Sequence, residues 1–109
     1  MSYQVKYKIW IEADQQTFLG SGRIKLLKAV EELGSLNKAA KKLNISYKKA
    51  WDLIQSVNET AQKPMITTTT GGSGGGGMTL TDYGKTMIAR YEHLSLSTAA
   101  FMHRQKFEQ

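Results

Sequence analysis

Five lysines, Lys38, Lys41, Lys42, Lys48 and Lys49, fall between Ser35 and Val57 against a single carboxylate, Asp52. Five minus one leaves +4 on this stretch, out of a formal net charge of +6 for the whole chain. Ammonium groups gathered in this way, with hydroxyl and amide side chains between them, do not make an acid–base pair or a nucleophile. The chemistry open to them is neutralisation of a polyanion and hydrogen bonding to it.

Catalytic and metal chemistry find no comparable set. From Gly71 to Gly77 every residue is glycine except Ser73. Gly72, Gly74 and Gly77 formally match GxGxxG, but the following "MTL" reads as a strand, where a dinucleotide site needs a helix. A P-loop needs lysine and a hydroxyl residue after its last glycine, and Met78 and Thr79 stand there instead. His93 and His103 are ten residues apart on one helix, and there is no cysteine to join them as a ligand. No catalytic residue, metal ligand or cofactor is therefore assigned. The lack of cysteine suits a reducing cytosol. No stretch approaches 18 uncharged apolar residues, and the first residues lack an apolar signal core, so a cytoplasmic chain without a membrane segment is expected.

The lysines need elements to position them. A length of 109 residues allows one domain, 1–109. Tyr3, Val5, Tyr7, Ile9 and Ile11 alternate with polar neighbours and Trp10, which predicts a half-buried N-terminal strand. "ADQQ" reads as a turn, "TFLG" as a short return strand and "GSGR" as a break. "RIKLLKAVEEL" then has helical spacing through Ile24, Leu27, Val30 and Leu33, and Gly34 is its left-handed stop. Ser35 caps a short helix, Leu36 to Leu43. Asn44 tolerates a left-handed turn, and Ser46 caps a third helix from Tyr47 to about Gln62, closed by Pro64. "MITTTT" and "MTL" read as two strands joined by the glycine run. Thr81 caps a last helix from Asp82 to about Lys106.

Residues 35–62 fit a helix-turn-helix, with Ala40 as the small contact, Asn44 in the turn, and Ala39, Leu43, Ile45, Ala50 and Leu53 towards the core. At ~100° per residue, Ala50, Leu53, Ile54, Val57 and Ala61 gather on one side of the third helix, and Lys48, Asp52, Gln55 and Glu59 on the other. Tyr47, Lys49 and Trp51 take the flanks, where Trp51 is expected to pack half-buried beside Tyr47. A helix of this kind fits the major groove of duplex DNA, so Ser46, Tyr47, Lys48, Lys49, Asp52 and Gln55 become candidates for contact with bases and phosphates. Ser35, Asn37 and Lys38 open the second helix and are candidate backbone clamps. A helix, a helix-turn-helix and then a two-stranded hairpin make a winged helix, mainly α with a small β component. The hairpin, 65–81, is the wing, and Thr69, Thr70 and Ser73 at its tip are further candidates for phosphate contact.

The last helix, 82–106, would be roughly 37 Å long at 1.5 Å per residue. Its apolar stripe is Tyr83, Met87, Tyr91, Leu94, Thr98, Phe101 and Met102, more than one small domain can cover. A homodimer about this helix is expected, with recognition helices about one DNA turn (~34 Å) apart.

The segments "GRIKLLKAVEELGSLNKAAKKLNISYKKAWDLIQSVN" (22–58) and "TGGSGGGGMTLTDYGKTMIARY" (70–91) resemble the DNA-binding domain of ModE-type molybdate-responsive transcriptional regulators, whose helix-turn-helix is also described as LysR-like. The resemblance implies a winged helix that dimerises through its N-terminal strand and long C-terminal helix and binds operator DNA near molybdate-transport genes. Members that sense molybdate carry C-terminal oxyanion-binding domains. This chain stops at Gln109 before any such domain, so direct molybdate binding is not expected. Ser73 stands where a basic residue would grip phosphate, so weak wing contacts are expected. The rival reading is a winged helix that binds protein and has lost DNA, which Lys48 and Lys49 argue against and Asp52 and Glu59 leave open.

Overall fold

The computed structural model of the chain describes residues 1–69 and 77–108. Strands β1 (Trp10–Ala13) and β2 (Gln16–Gly20) pair antiparallel, followed by helices α1 (Ser21–Leu33), α2 (Leu36–Leu43) and α3 (Tyr47–Thr60). Strands β3 (Ile66–Thr69) and β4 (Gly77–Leu80) then form a second antiparallel pair, and α4 (Asp82–Arg104) ends the fold. This is a winged helix-turn-helix, with β3 and β4 as the wing. Among the described residues no helix is long and apolar enough to cross a membrane.

Local chemistry accounts for most of the boundaries. Gly34 closes α1 in the left-handed region at φ 67°, and its N–H returns to the Val30 carbonyl. Ser35 and Ser46 cap α2 and α3, each hydroxyl accepting from the backbone N–H three residues on. Asn44, at φ 57°, makes the left-handed turn between them. Thr81 caps α4 by accepting from Gly84 N–H at 2.9 Å, while its own hydroxyl donates to the Pro64 carbonyl at 2.7 Å.

Four boundaries differ from the sequence reading, one being the end of α4 at Arg104, two residues short of Lys106. The N-terminal strand spans only Trp10–Ala13; residues 1–9 form neither strand nor helix, and Tyr3, Val5 and Tyr7 are exposed. Alternation assigns faces to a strand but does not supply a partner, and within the described residues 3–9 have none. "GSGR" does not break the chain: α1 starts at Ser21 and runs through Gly22, with Gly20 as its extended N-cap. Helix α3 ends at Thr60, two residues short of Gln62; the Thr60 hydroxyl donates back to the Ser56 carbonyl at 2.8 Å, and Ala61 is already extended.

The first hairpin turns through Asp14 and Gln15, both at positive φ, a pair suited to the twist of a tight hairpin. A bulge opposite Ile11 and Glu12 inserts Phe18 as an extra residue in β2. Consecutive strand residues ordinarily face opposite sides. The bulge relaxes this, and Phe18 and Leu19 are both buried. They join Leu26, Leu27, Val30, Ile54, Val57 and Met65 in one core. Gly84 lets α4 press onto the end of α3's connection, because a Cβ there would overlap the Met65 carbonyl oxygen.

Candidate nucleic-acid interface

Helix α3 separates its faces as the spacing requires. Ala50, Ile54 and Val57 are buried, and Leu53 and Ala61 pack half-buried against them. On the opposite side the Lys48 side chain is 83% exposed, and its Nζ lies 3.1 Å from Asp52 Oδ2, one helical turn on. Asp52 therefore orients Lys48 and partly neutralises it. Gln55 is half-buried beside this pair and Glu59 is exposed. Lys49 is exposed on one flank; Tyr47 and Trp51 are exposed on the other. The half-buried Trp51 that the sequence predicts is thus corrected. Its ring is open because the wing stands off from it and leaves a cleft.

That cleft, of about 300 Å³, gathers several sequence-derived candidates: Ser35 and Asn37 from the start of α2, Tyr47 from α3 and Thr69 from β3, with the Trp51 ring beside them. Lys38 is exposed on the first turn of α2. The Ser35 and Ser46 hydroxyls accept from Lys38 and Lys49 backbone N–H groups, so each is committed to its cap through its oxygen and retains its own proton for a ligand. Thr69 is likewise occupied in part: its Oγ1 accepts from Gly77 N–H at 2.9 Å across the hairpin. Thr70 and Ser73 lie outside the described residues.

The base of the wing is fastened through Asn58 and through Gly34, neither of which the sequence reading assigned to it. Asn58, on the last full turn of α3, donates from Nδ2 to the Ile66 carbonyl at 3.1 Å. Its Oδ1 accepts from Met65 and Ile66 N–H at 2.9 and 3.2 Å. On the other strand, Met78 N–H donates to the Gly34 carbonyl at 3.1 Å. A signal for the first existed: Asn58 follows Ile54 by four, an amide in line with the buried face. The second is a backbone bond and leaves no trace in side-chain types.

Two further polar links brace α3 and α4. Arg23 of α1 donates from Nη1 to Ser56 Oγ at 2.9 Å, and partial burial holds its guanidinium below the usual arginine range. Lys28 of α1 and Glu92 of α4 pair at 2.7 Å, and that hydrogen bond raises the Lys28 ammonium above the usual lysine range.

The predicted dimer stripe on α4 divides in two. Tyr91 is only 7% exposed, and its hydroxyl donates to the Ile9 carbonyl at 2.9 Å. Tyr83 and Met87 pack half-buried against the same core. Tyr91 is thus committed to the chain's own core, and Tyr83 and Met87 give part of their surface to it, which narrows the stripe left for a partner. Beyond Tyr91 no described residue of α4 is buried: Leu94 and Phe101 are exposed, and Thr98 and Met102 are half-buried. Leu96, at 72% exposure, lies off the predicted stripe.

Known proteins share this arrangement. The family of bacterial regulatory helix-turn-helix proteins, lysR family, matches residues 22–85. Molybdenum transport protein ModE of Azotobacter vinelandii is 42% identical over 94 residues, 86% of this chain and 35% of that protein. DNA-binding transcriptional dual regulator ModE of Escherichia coli K12 is 38% identical over 92 residues, 84% of this chain and 35% of that protein. The chain thus spans about a third of the length of these curated relatives. The crystal structure of ArgP from Mycobacterium tuberculosis superposes with a TM-score of 0.50 at 22% identity, covering 76% of this chain and 30% of that one, a likeness of fold. With the match running from the start of α1 through the wing into α4, the chain belongs to the lysR family of bacterial regulatory helix-turn-helix proteins.

Proposed function

We propose that the chain binds double-stranded DNA sequence-specifically as the DNA-binding part of a transcriptional regulator, and that its target genes serve molybdate transport or metabolism. The observation that carries the reading is the polarity of α3. Its aliphatic side is buried, and Tyr47, Lys48, Lys49, Asp52 and the edge of Gln55 are presented outward beside the capped start of α2 and the wing. Lys48 and Lys49 reach phosphates or guanine acceptors, Gln55 pairs with adenine, and Ser35, Asn37, Lys38 and Thr69 hold the backbone. The molybdate assignment rests on the resemblance to the ModE proteins. The active form is a homodimer, formed by the far half of α4 and residues 1–9 lying along it.

Selection of bound sites from random duplex DNA, with and without molybdate, tests the reading. Lys48→Ala with Lys49→Ala is expected to abolish binding to the selected site while circular dichroism and oligomeric state stay unchanged. Undiminished affinity of that double variant would remove α3 from the interface.

A further inference from the structure

We infer that the start of α1 supplies a second grip on the sugar-phosphate backbone, through Arg23 and Lys25 acting with Lys49, on the strand that the wing does not reach. The inference rests on the DNA-binding reading above and adds residues to it.

Geometry requires something at this place. The major groove is about 12 Å wide, and an α-helix with its side chains is about 10–12 Å across. A helix that fills the groove meets a phosphate backbone along both flanks. At ~100° per residue, Tyr47 and Trp51 mark one flank of α3 and Lys49 and Ser56 the other. The wing and the start of α2 crowd the first flank, around the cleft that holds Tyr47 and Trp51.

The second flank has its own cleft, of about 520 Å³, between the start of α1, the turn after α2, and α3. Leu26, Leu43, Ile45 and Leu53 line it together with Arg23, Lys25 and Lys49. Among the described residues no carboxylate lines it, and none of these three cations forms a salt bridge. By contrast Lys28, Lys42 and Lys48 are each paired with an acid. Arg23 is also held in place: its guanidinium donates to Ser56 Oγ on this flank, so one N–H is fixed and others remain to donate. Three uncompensated cations, one of them anchored to the recognition helix, match a row of phosphates.

The test is the salt dependence of binding to a duplex selected by the protein, measured by fluorescence anisotropy for the parent chain, Lys25→Gln, and Arg23→Gln with Lys25→Gln. A lysine or arginine that neutralises one phosphate contributes about 0.9 to the slope of log K against log salt. The expected result is a slope shallower by about 0.9 for Lys25→Gln and by about twice that for the double variant. Affinity for selected and scrambled duplexes should drop alike, because phosphate contacts do not read sequence. Lys25 is exposed, so the single variant decides the matter if removal of the Arg23–Ser56 bond disturbs folding. A parent chain that binds no duplex overturns both readings. A parent chain that binds, with slopes unchanged in both variants, overturns this one alone.

Discussion

Lys48 and Asp52 show how one residue can set the character of a recognition surface. A surface pair one helical turn apart adds little stability. Its larger effect is on the field: the only carboxylate between Ser35 and Val57 sits against an 83% exposed lysine side chain of α3. Asp52 therefore subtracts from indiscriminate attraction to phosphate and can itself accept from a cytosine amino group. Asp52→Asn frees Lys48. Binding to scrambled duplex is expected to strengthen, with a salt slope steeper by up to about 0.9, while preference for the selected site narrows. Parallel anisotropy titrations on the two duplexes measure this. A variant that keeps full preference would show that Asp52 takes no part in discrimination.

The wing depends on the helix before it. Asn58 satisfies one carbonyl and two N–H groups where α3 passes into β3. Removing its amide leaves those groups without a partner in a half-buried site. Asn58→Ala is expected to cost about 1–3 kcal/mol, read as a lower urea midpoint at unchanged slope. An unaltered midpoint would mean that water replaces the amide at no cost. How much of this is legible in the sequence follows from the range of the signals. Gly34, Ser35, Asn44, Ser46 and Thr81 act on their immediate neighbours, and each stop or cap falls where the sequence places it. The period of α3 likewise separates its buried and open sides. Asn58 acts on residues seven and eight positions on, across a chain reversal, and Arg23 reaches Ser56 over 33. Such partners depend on tertiary packing, which side-chain types alone do not specify. The exposure of Trp51 belongs to the same class, because it is decided by where the wing stands.

At the scale of the whole molecule the chain is elongated, 63 × 30 × 22 Å, with a radius of gyration of 16.6 Å. A compact chain of this length would have about 13 Å. The excess lies in α4, about 35 Å long at 1.5 Å per residue, whose second half extends past the core with residues 3–9 beside it. Tyr3 meets Phe107 with tilted rings, 5.4 Å between centroids, at one end, and Tyr91 holds Ile9 at the other. Leu94, Leu96 and Phe101 stay open along this ledge. On the proposed homodimer, Leu96→Glu with Phe101→Glu is expected to yield a folded monomer by light scattering where the parent chain scatters as a dimer. A variant that still sediments as a dimer would place the interface elsewhere. Tyr91→Glu would instead disrupt the chain's own core. The stripe on α4 is visible in the sequence, but its division into own-core and open halves is not, because a periodic pattern does not say who covers it. The bond from Tyr91 to Ile9 joins residues 82 positions apart. A ribosome releases the Tyr3–Ile9 segment long before the hydroxyl that fastens it exists, so these early residues stay unhoused until synthesis has passed Tyr91 and α4 has formed.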